Sequence, residues 1–312
     1  MLLWHAFTCF SRLRLIRQGL IQPNRMYYLV ATIAAGRQSM VREAHRRWCD
    51  GWCLQLHSPQ FPSSRSANQE INPMSLADVK ALTFDTGGTI LDWHTGFSSA
   101  LRSAGAHRGL EKDWGQLANE MRRRSLKKML NLGQHKAPEY NFDDAHRMAL
   151  DEILNEQGLS QMNADERRAI WWEATHHLKV WPDFPAILPK LKQKFICASF
   201  TILSYRIIID TARENGLSWD AVISCEGIGK YKVLPEAYQT AAHYLQLQPA
   251  ECCMIACHNF DLDAAKAVGF KTAFVRRPKE WGSETPPDPT PNAHHDIIVD
   301  DFPSLATALG IA

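Results

Sequence analysis

The sequence predicts an α/β fold in which a doubly wound parallel sheet carries an inserted helical cap domain. From residue 182 onward, short apolar runs alternate with helical patterns, which is typical of a parallel sheet with helices on both faces. A separate apolar run at 79–84 cannot bury its two faces alone and must join that sheet. Residues 97–179 are rich in good helix formers, with apolar residues at three- and four-residue steps.

These patterns define the predicted elements and domains. We expect strands at 79–84, 195–201, 221–224, 252–256, 272–275 and 297–299, and core helices at 205–214, 234–244, 262–268 and 302–309. The α/β core is predicted to comprise residues 75–95 and 182–312. Residues 96–181 are predicted to form the cap, with four or five helices.

The first 73 residues differ from the rest, with nine Arg, no Lys and three acidic residues. Such a composition is typical of an organellar transit peptide, whereas Met74 would be a natural start for a cytosolic enzyme. Residues 1–74 are therefore expected to be a poorly structured extension. It is either a transit segment, which implies a mitochondrial protein, or upstream sequence from a start assigned too early. We favour the second explanation and a cytoplasmic location.

Composition also restricts the partners. A net charge of +2 indicates no nucleic-acid partner, no run is long enough to span a membrane, and a small molecule remains the expected ligand. The helical cap would suit a homodimer, which the sequence alone does not decide. Five cysteines in or beside apolar runs are expected to be reduced core residues of an intracellular protein; they are Cys197, Cys225, Cys252, Cys253 and Cys257.

Several polar side chains follow predicted strands, and ligands of open α/β sheets bind outside the carboxyl ends of the strands. Asp85 follows the first strand and precedes Gly87 and Gly88, which let backbone N–H groups approach a substrate. The other expected members of this edge are Thr89, Thr201, Lys232, Tyr238, His258, Asn259 and Asp261. Singly, a turn acid, a surface lysine or a helix-capping aspartate would be ordinary, but together they indicate one site.

Three consecutive arginines, Arg122, Arg123 and Arg124, lie on a predicted cap helix. One interpretation is a solvated helix face. The other is that one arginine points into the crevice and holds an anion.

The motifs FDTGGT at 84–89, YKVLPEAY at 231–238 and HNFDLDAA at 258–265 occur in order, with the Thr201 strand between the first two. With them, and with FKTAFVRRPKEWG at 270–282, the chain resembles the haloacid dehalogenase superfamily from residue 79 onward, most closely the type II 2-haloacid dehalogenases. The resemblance implies a Rossmannoid core and a nucleophilic Asp85. It also implies supporting roles for Thr89, Thr201, Lys232, Tyr238 and Asp261. Arg122 is the best match to the cap arginine that binds substrate carboxylate or halide in that family.

Two positions distinguish branches of the superfamily. Family phosphatases carry a second Asp two residues after the nucleophile, where this chain has Gly87. They also hold Mg²⁺ with an acid at the position of Cys257, which is a soft ligand and a poor one for Mg²⁺. The resemblance thus implies hydrolysis of a 2-haloacid or related molecule through an ester on Asp85, without metal or cofactor. A Mg²⁺-dependent phosphatase and a non-catalytic binding protein remain alternatives.

In the implied mechanism, Lys232 keeps Asp85 ionised, and Asp261 or His258 orients or deprotonates water. Backbone N–H groups of residues 86–88 would stabilise the oxyanion. The expected substrate-binding residues are Thr86, Gly87, Thr89, Arg122, Tyr238, His258 and Asn259. Departures from the family pattern alter the carboxylate pocket: Ile202 replaces the usual Asn, His258 stands where many dehalogenases have Asn, and Val233 replaces Pro. The natural substrate therefore need not be a short 2-haloacid.

Overall fold

The structure, a computed structural model, describes residues 76–130 and 136–311. In these ranges six parallel strands form one sheet in the order β3-β2-β1-β4-β5-β6. The strands are β1 (Ala81–Phe84), β2 (Ile196–Thr201), β3 (Ala221–Ser224), β4 (Cys252–Ala256), β5 (Lys271–Val275) and β6 (Ile297–Val299). The predicted fold class is confirmed, and the strands end where the apolar runs end.

Strand β1 lies in the middle of the sheet. Ala81 pairs with Ile196 of β2 on one side and with Cys252 of β4 on the other. All four residues of β1 are buried, which explains why its sequence is almost continuously apolar rather than alternating. The chain moves outward from β1 to β2 and β3, then returns to β4. Asp85 therefore follows β1 at the point where the strand order reverses, the usual ligand position in such sheets.

Helices cover both faces of the sheet. In chain order, the α-helices of the described ranges, including those of the cap, are α1 (Trp93–Ala106), α2 (Trp114–Met129), α3 (Phe142–Glu156), α4 (Ala164–Arg168), α5 (Leu188–Leu191), α6 (Tyr205–Glu214), α7 (Cys225–Ile228), α8 (Pro235–Tyr244), α9 (Asn259–Ala267) and α10 (Phe302–Ala308). Leu191 of α5 and Phe302 of α10 pack with Phe84 in one apolar cluster. Ala241 of α8 and Leu262 of α9 belong to a second cluster on the opposite face. This is the doubly wound arrangement that the sequence predicts.

The cap helices α1 to α4, followed by the π-helical turn Ala169–Ala174, lie between β1 and β2 in the chain. Each helix begins after a side chain that accepts a backbone N–H of its first turn; these are Asp92, Asp113, Asn141 and Asn163. Helices α1, α2 and α3 bury their apolar faces in a common cluster that includes Phe97, Leu117 and Ala149, whereas α4 has no buried residue. The exact domain boundaries at 95/96 and 181/182 stay a prediction.

Two further expectations concern the chain as a whole. The five cysteines at 197, 225, 252, 253 and 257 are buried and unbonded, as predicted. No helix in the described part of the chain has the length and apolar character needed to cross a membrane. The prediction for residues 1–74 lies outside the described residues.

Candidate active site

The Asp85 carboxylate is the centre of the site and is almost entirely buried, with 6% of the residue exposed. The Lys232 Nζ atom lies 3.1 Å from Oδ1, and the Thr89 hydroxyl donates to Oδ2 at 2.9 Å. The His258 Nδ1 atom lies 3.4 Å from Oδ2. Burial alone raises the pKa of Asp85, but Lys232, His258 and Thr89 outweigh it and hold the pKa well below its ordinary value. Asp85 is therefore a carboxylate at neutral pH.

Lys232 joins Asp85 to a second buried acid, Asp261. Its Nζ atom lies 2.6 Å from Asp261 Oδ2, and the Tyr238 hydroxyl donates to Asp261 Oδ1 at 2.7 Å. Burial lowers the pKa of Lys232, but the Asp261 and Asp85 carboxylates raise it by more than burial lowers it, so the side chain stays an ammonium. Burial, assisted by Asp85 and opposed by Lys232, raises the pKa of Asp261. The lysine thus neutralises two carboxylates that would otherwise repel each other.

Arg122 is the member of the arginine cluster that enters the crevice. Only 3% of it is exposed, and its Nη2 donates to the Gly87 carbonyl oxygen at 2.9 Å. Its guanidinium carbon lies 5.4 Å from the Trp93 ring centre and 5.8 Å from that of Phe142, a geometry that stabilises a cation. Arg123 and Arg124 instead pair with glutamates near the surface. The cap thereby brings one positive group over the loop that follows Asp85.

A cavity of about 60 Å³ lies between these groups. Its polar lining consists of Asp85, Gly87, Arg122, Lys232, His258, Asp261 and Asp288. Its apolar lining includes Leu126, Leu130, Ile202, Leu203, Phe260 and Trp281. The cavity is thus small and mostly apolar, and its charged lining includes the Asp85 carboxylate and the cationic Arg122 and Lys232, which suits a short molecule with an electrophilic carbon.

Thr86 is an expected substrate-binding residue and Thr201 an expected supporting residue of Asp85, and neither lines this cavity. The Thr86 hydroxyl donates to Thr201 Oγ1 at 2.7 Å, and the Leu203 N–H donates to the same oxygen. The two hydroxyls hold the ends of β1 and β2 together. In the structure these side chains support the edge of the sheet, and their roles in binding and catalysis stay predictions.

Tyr238, Thr89 and Asn259 are also expected substrate-binding residues, and they do not line the cavity either. Tyr238 is fully buried behind Asp261. Thr89 lies behind Asp85 and accepts the Cys257 N–H. The Asn259 side chain donates to the Thr290 carbonyl oxygen and accepts the Asn292 N–H, and so holds the proline-containing loop before β6. All three position the residues that do face the cavity.

Glu280 is a buried acid that the sequence analysis did not single out. Only 2% of it is exposed; it accepts the Trp93 Nε1–H at 2.9 Å and lies 3.1 Å from His258 Nε2. Burial raises the pKa of Glu280, but His258 and Arg122 outweigh this and lower it. The only available signal was its place in the family-like stretch 270–282, where an acid looks like an ordinary loop residue.

Mg²⁺ fits poorly beside Asp85. The position that would supply a metal carboxylate holds Cys257, and burial and the nearby Glu280 raise the pKa of its thiol, which stays protonated. Both Asp261 oxygens are already bonded, to Lys232 and Tyr238. A hard cation requires oxygen ligands, and this donor set offers too few of them.

Two groups of side chains in the described residues bring donor atoms within 4.8 Å of one another: Cys257, His258 and Glu280, and Asp263, His294 and His295. In the first group, the donor atoms contact one another. In the second group, Asp263 pairs with His294 at 2.7 Å. These contacts account for both groups without an ion.

A family model described as haloacid dehalogenase-like hydrolase matches residues 79–269. The chain therefore belongs to the haloacid dehalogenase-like hydrolase family, as its motifs indicate. It is similar to (S)-2-haloacid dehalogenase 1 of Pseudomonas sp. (strain CBS-3), with 27% identity, covering 74% of this chain and 98% of that protein.

Two solved structures are also similar to this chain. The defluorinating L-2-haloacid dehalogenase Rha0230 is 35% identical with a TM-score of 0.68, covering 74% of this chain and 95% of that one. The L-2-haloacid dehalogenase PA0810 is 30% identical with a TM-score of 0.68, covering 74% and 99%.

Proposed function

We propose that this hydrolase cleaves the carbon–halogen bond of a small 2-haloacid or a related molecule, using Asp85 as nucleophile and no metal. One observation carries the proposal: an ionised Asp85 carboxylate lines a small apolar cavity that Arg122 also lines. The similar proteins described as 2-haloacid dehalogenases support the same reaction.

In the first step, an Asp85 oxygen attacks the halogen-bearing carbon and the carbon–halogen bond breaks. The electron pair leaves with the halide, and Asp85 becomes a neutral ester. A halide needs no proton to leave, so the missing acid at Gly87 is no obstacle. Arg122, whose charge the Trp93 and Phe142 rings stabilise, would bind the departing halide or the substrate carboxylate.

In the second step, water attacks the carbonyl carbon of the Asp85 ester. The bond between that carbon and the product oxygen breaks, which releases a hydroxy acid and restores the carboxylate. The Lys232 ammonium, 3.1 Å from Oδ1, would stabilise the oxyanion that forms. The Gly88 N–H is not available for this, because it donates to the Leu91 carbonyl oxygen; the N–H groups of Thr86 and Gly87 are the remaining backbone candidates.

The cavity limits the substrate. Ile202 lines it where an amide side chain would hold a carboxylate, and the Leu203 N–H is already bonded to Thr201. Arg122 is therefore the main candidate for the substrate's anionic group. We propose a short-chain substrate and no cofactor. The absence of nucleic-acid and membrane partners, the oligomeric state and the compartment stay predictions.

The proposal is tested by a single turnover of (S)-2-chloropropionate in ¹⁸O-water with enzyme in excess. The label should enter the Asp85 side chain, because water attacks the protein's own carbonyl, and lactate should stay almost unlabelled. Label in the first-turnover product, with Asp85 unlabelled, would remove the ester mechanism.

Asp85→Asn should lower turnover at least about a thousandfold, the scale expected for one member of a catalytic unit. Asp300→Asn, at an exposed surface acid, is the matched control and should retain activity.

A further inference from the structure

Glu280 and His258 form a carboxylate–imidazole pair directly behind Asp85. The His258 Nε2 atom lies 3.1 and 3.2 Å from the two Glu280 oxygens, while Nδ1 faces Asp85 Oδ2 at 3.4 Å. A carboxylate bonded to one ring nitrogen fixes which nitrogen carries the hydrogen. In a neutral His258, Nε2–H would donate to Glu280 and the Nδ1 lone pair would point toward Asp85.

Glu280 is itself held firmly. The Trp93 Nε1–H donates to it at 2.9 Å. Gly88 lies against it with φ at +101°, and a side-chain carbon at that position would overlap the Glu280 carboxylate. Glycine is thus required at 88 both by backbone conformation and by the close approach of Glu280.

His258 separates two cavities. The smaller one, about 60 Å³, contains the exposed part of Asp85 and Arg122. The larger one, about 330 Å³, is lined by Cys257, His258, Glu280 and the loop that follows β5, and Asp85 does not line it. Once Asp85 carries the substrate's alkyl group, the smaller cavity is filled. The larger cavity then offers water another approach to the ester, past His258.

We propose that His258 is the base that deprotonates the hydrolytic water, that this water enters from the larger cavity, and that Glu280 is the residue that positions His258. This inference rests on the proposed function and assigns the second half of that reaction. Asp261 is poorly placed for the task because both of its oxygens are engaged, by Lys232 and Tyr238.

The charges around His258 explain why it becomes a base only after the Asp85 ester has formed. In the free enzyme Asp85, Glu280 and Cys257 face the ring, Arg122 and Asp288 lie on the cavity side, and Phe260 stacks on it. Burial opposes a charge on His258, but the hydrogen bond to Cys257 and the negative charges of Glu280 and Asp85 raise its pKa well above the ordinary value. His258 is therefore an imidazolium before substrate reacts. Ester formation removes the negative charge of Asp85, which lowers the pKa of His258 and releases its proton together with halide.

Hydrolysis of the Asp85 ester conserves atoms and protons. Neutral His258 takes a proton from water through Nδ1 while the water oxygen bonds to the Asp85 carbonyl carbon. The tetrahedral intermediate breaks its bond to the product oxygen, which takes the remaining hydroxyl proton. The product leaves as an alcohol, Asp85 is again a carboxylate, and His258 is again an imidazolium. The net reaction releases one halide and one proton, and the proton leaves in the first half.

The test compares Glu280→Gln and His258→Gln with the unmodified protein in rapid-quench turnovers of (S)-2-chloropropionate. Intact-protein mass spectrometry follows the ester, and halide and lactate are measured in parallel. Both variants should release one halide per site, accumulate the Asp85 ester and hydrolyse it about a hundredfold more slowly, the scale of general-base catalysis. Glu280→Asp should restore part of the hydrolysis rate, because it keeps the carboxylate. Glu236→Gln, an exposed acid on α8, should behave as the unmodified protein.

Melting curves identify a variant that fails to fold, and the other variant then carries the test. In the unmodified protein, a pH indicator should detect the proton with halide and not with lactate. Unchanged ester hydrolysis in both folded variants, or a proton that appears only with lactate, would overturn the inference. Failure of the proposed function looks different, because the unmodified protein would then release no halide and form no ester.

Discussion

The Arg122 guanidinium donates a hydrogen bond to the Gly87 carbonyl oxygen at 2.9 Å, which links cap helix α2 to the loop that carries the nucleophile. A side-chain carbon at position 87 would lie 2.9 Å from Arg122 Nη2, closer than real contacts allow. Glycine at 87 is therefore compatible with a buried arginine at 122. The second aspartate that family phosphatases carry at this position would displace the arginine.

Gly87→Asp tests this relationship. The new carboxylate should pair with Arg122 and pull it away from the cavity, so dehalogenation should fall at least about a hundredfold, as when one electrostatic group of a site is lost. Hydrolysis of p-nitrophenyl phosphate with Mg²⁺ should not appear, because Cys257 still replaces the metal ligand. Efficient Mg²⁺-dependent phosphatase activity in this variant would contradict the argument.

Arg122→Lys should lower kcat/KM for a 2-haloacid by about a hundredfold. A lysine is shorter and presents a point charge, so it cannot both bind the Gly87 oxygen and face the cavity as the planar guanidinium does. Steady-state halide release provides the measurement. Arg124→Lys is on the same helix but is paired with Glu120 and Glu156. It should change kcat/KM less than about threefold. Equal losses in the two variants would speak against a special role for Arg122.

Lys232→Met should move the acid limb of the pH profile of kcat/KM to higher pH. The Lys232 ammonium is the main group that opposes burial in setting the pKa of Asp85, so without it that pKa rises and the reactive carboxylate is lost at higher pH. We expect a displacement of at least about one pH unit. Lys279→Met, at an exposed loop position, should leave the profile in place, and an unmoved limb in Lys232→Met would refute the assignment.

Activity should survive prolonged dialysis against EDTA and should not rise when Mg²⁺ is added. The physical reason is the donor set, in which Gly87 offers no carboxylate and the protonated Cys257 thiol is a poor ligand for a hard cation. Halide release before and after dialysis provides the measurement. A strict requirement for added Mg²⁺ would favour the phosphatase alternative.

His146 should make the cap sensitive to acid. It lies between the Phe97 and Phe142 rings, and neither of its ring nitrogens has a hydrogen-bond partner in the described residues. Burial and the nearby Arg122 lower the pKa of His146 from 6.5 to about 3. Between these values the unfolded chain binds the proton and the folded one does not. The contribution of neutral His146 to the free energy of unfolding is therefore fully present above pH 6.5. It is lost as the pH falls toward 3, by up to about 1.4 kcal/mol per pH unit.

His146→Leu should flatten the dependence of the melting temperature on pH between 6.5 and 4, because the titrating group is gone. His243→Gln, which replaces an exposed histidine, should retain the original slope. An unchanged slope in His146→Leu would show that other groups control acid unfolding.

The sheet could be predicted almost completely from the sequence because each buried strand is a short, continuous apolar run. The start of α9 was placed too late, at 262 instead of Asn259, because His258, Asn259 and Asp261 break the apolar pattern where the helix begins. Lys232 and Asp261 were predicted correctly as neighbours of Asp85, since strand ends of one sheet edge must converge.

Other parts of the site depend on tertiary contacts that no local pattern encodes. Glu280 is separated from its partner Trp93 by 187 residues, and its sequence neighbours look like an ordinary polar loop. Tyr238 was assigned to the correct edge, but spacing on a helix does not tell whether a side chain meets the cavity or, as here, the far side of Asp261. Helix spacing alone does not decide which of the three adjacent arginines enters the crevice, and only the family resemblance singles out Arg122.

The position of β1 in the middle of the sheet also affects how the protein is made. During synthesis β1 leaves the ribosome first, yet its neighbours β2 and β4 begin at Ile196 and Cys252. Closing such long loops is entropically costly and slows folding. Until β4 is complete, β1 and Asp85 lack their partners, so the nascent chain exposes an apolar segment that is prone to aggregation. We expect this protein to depend on chaperones more than a protein of its size with local contacts would.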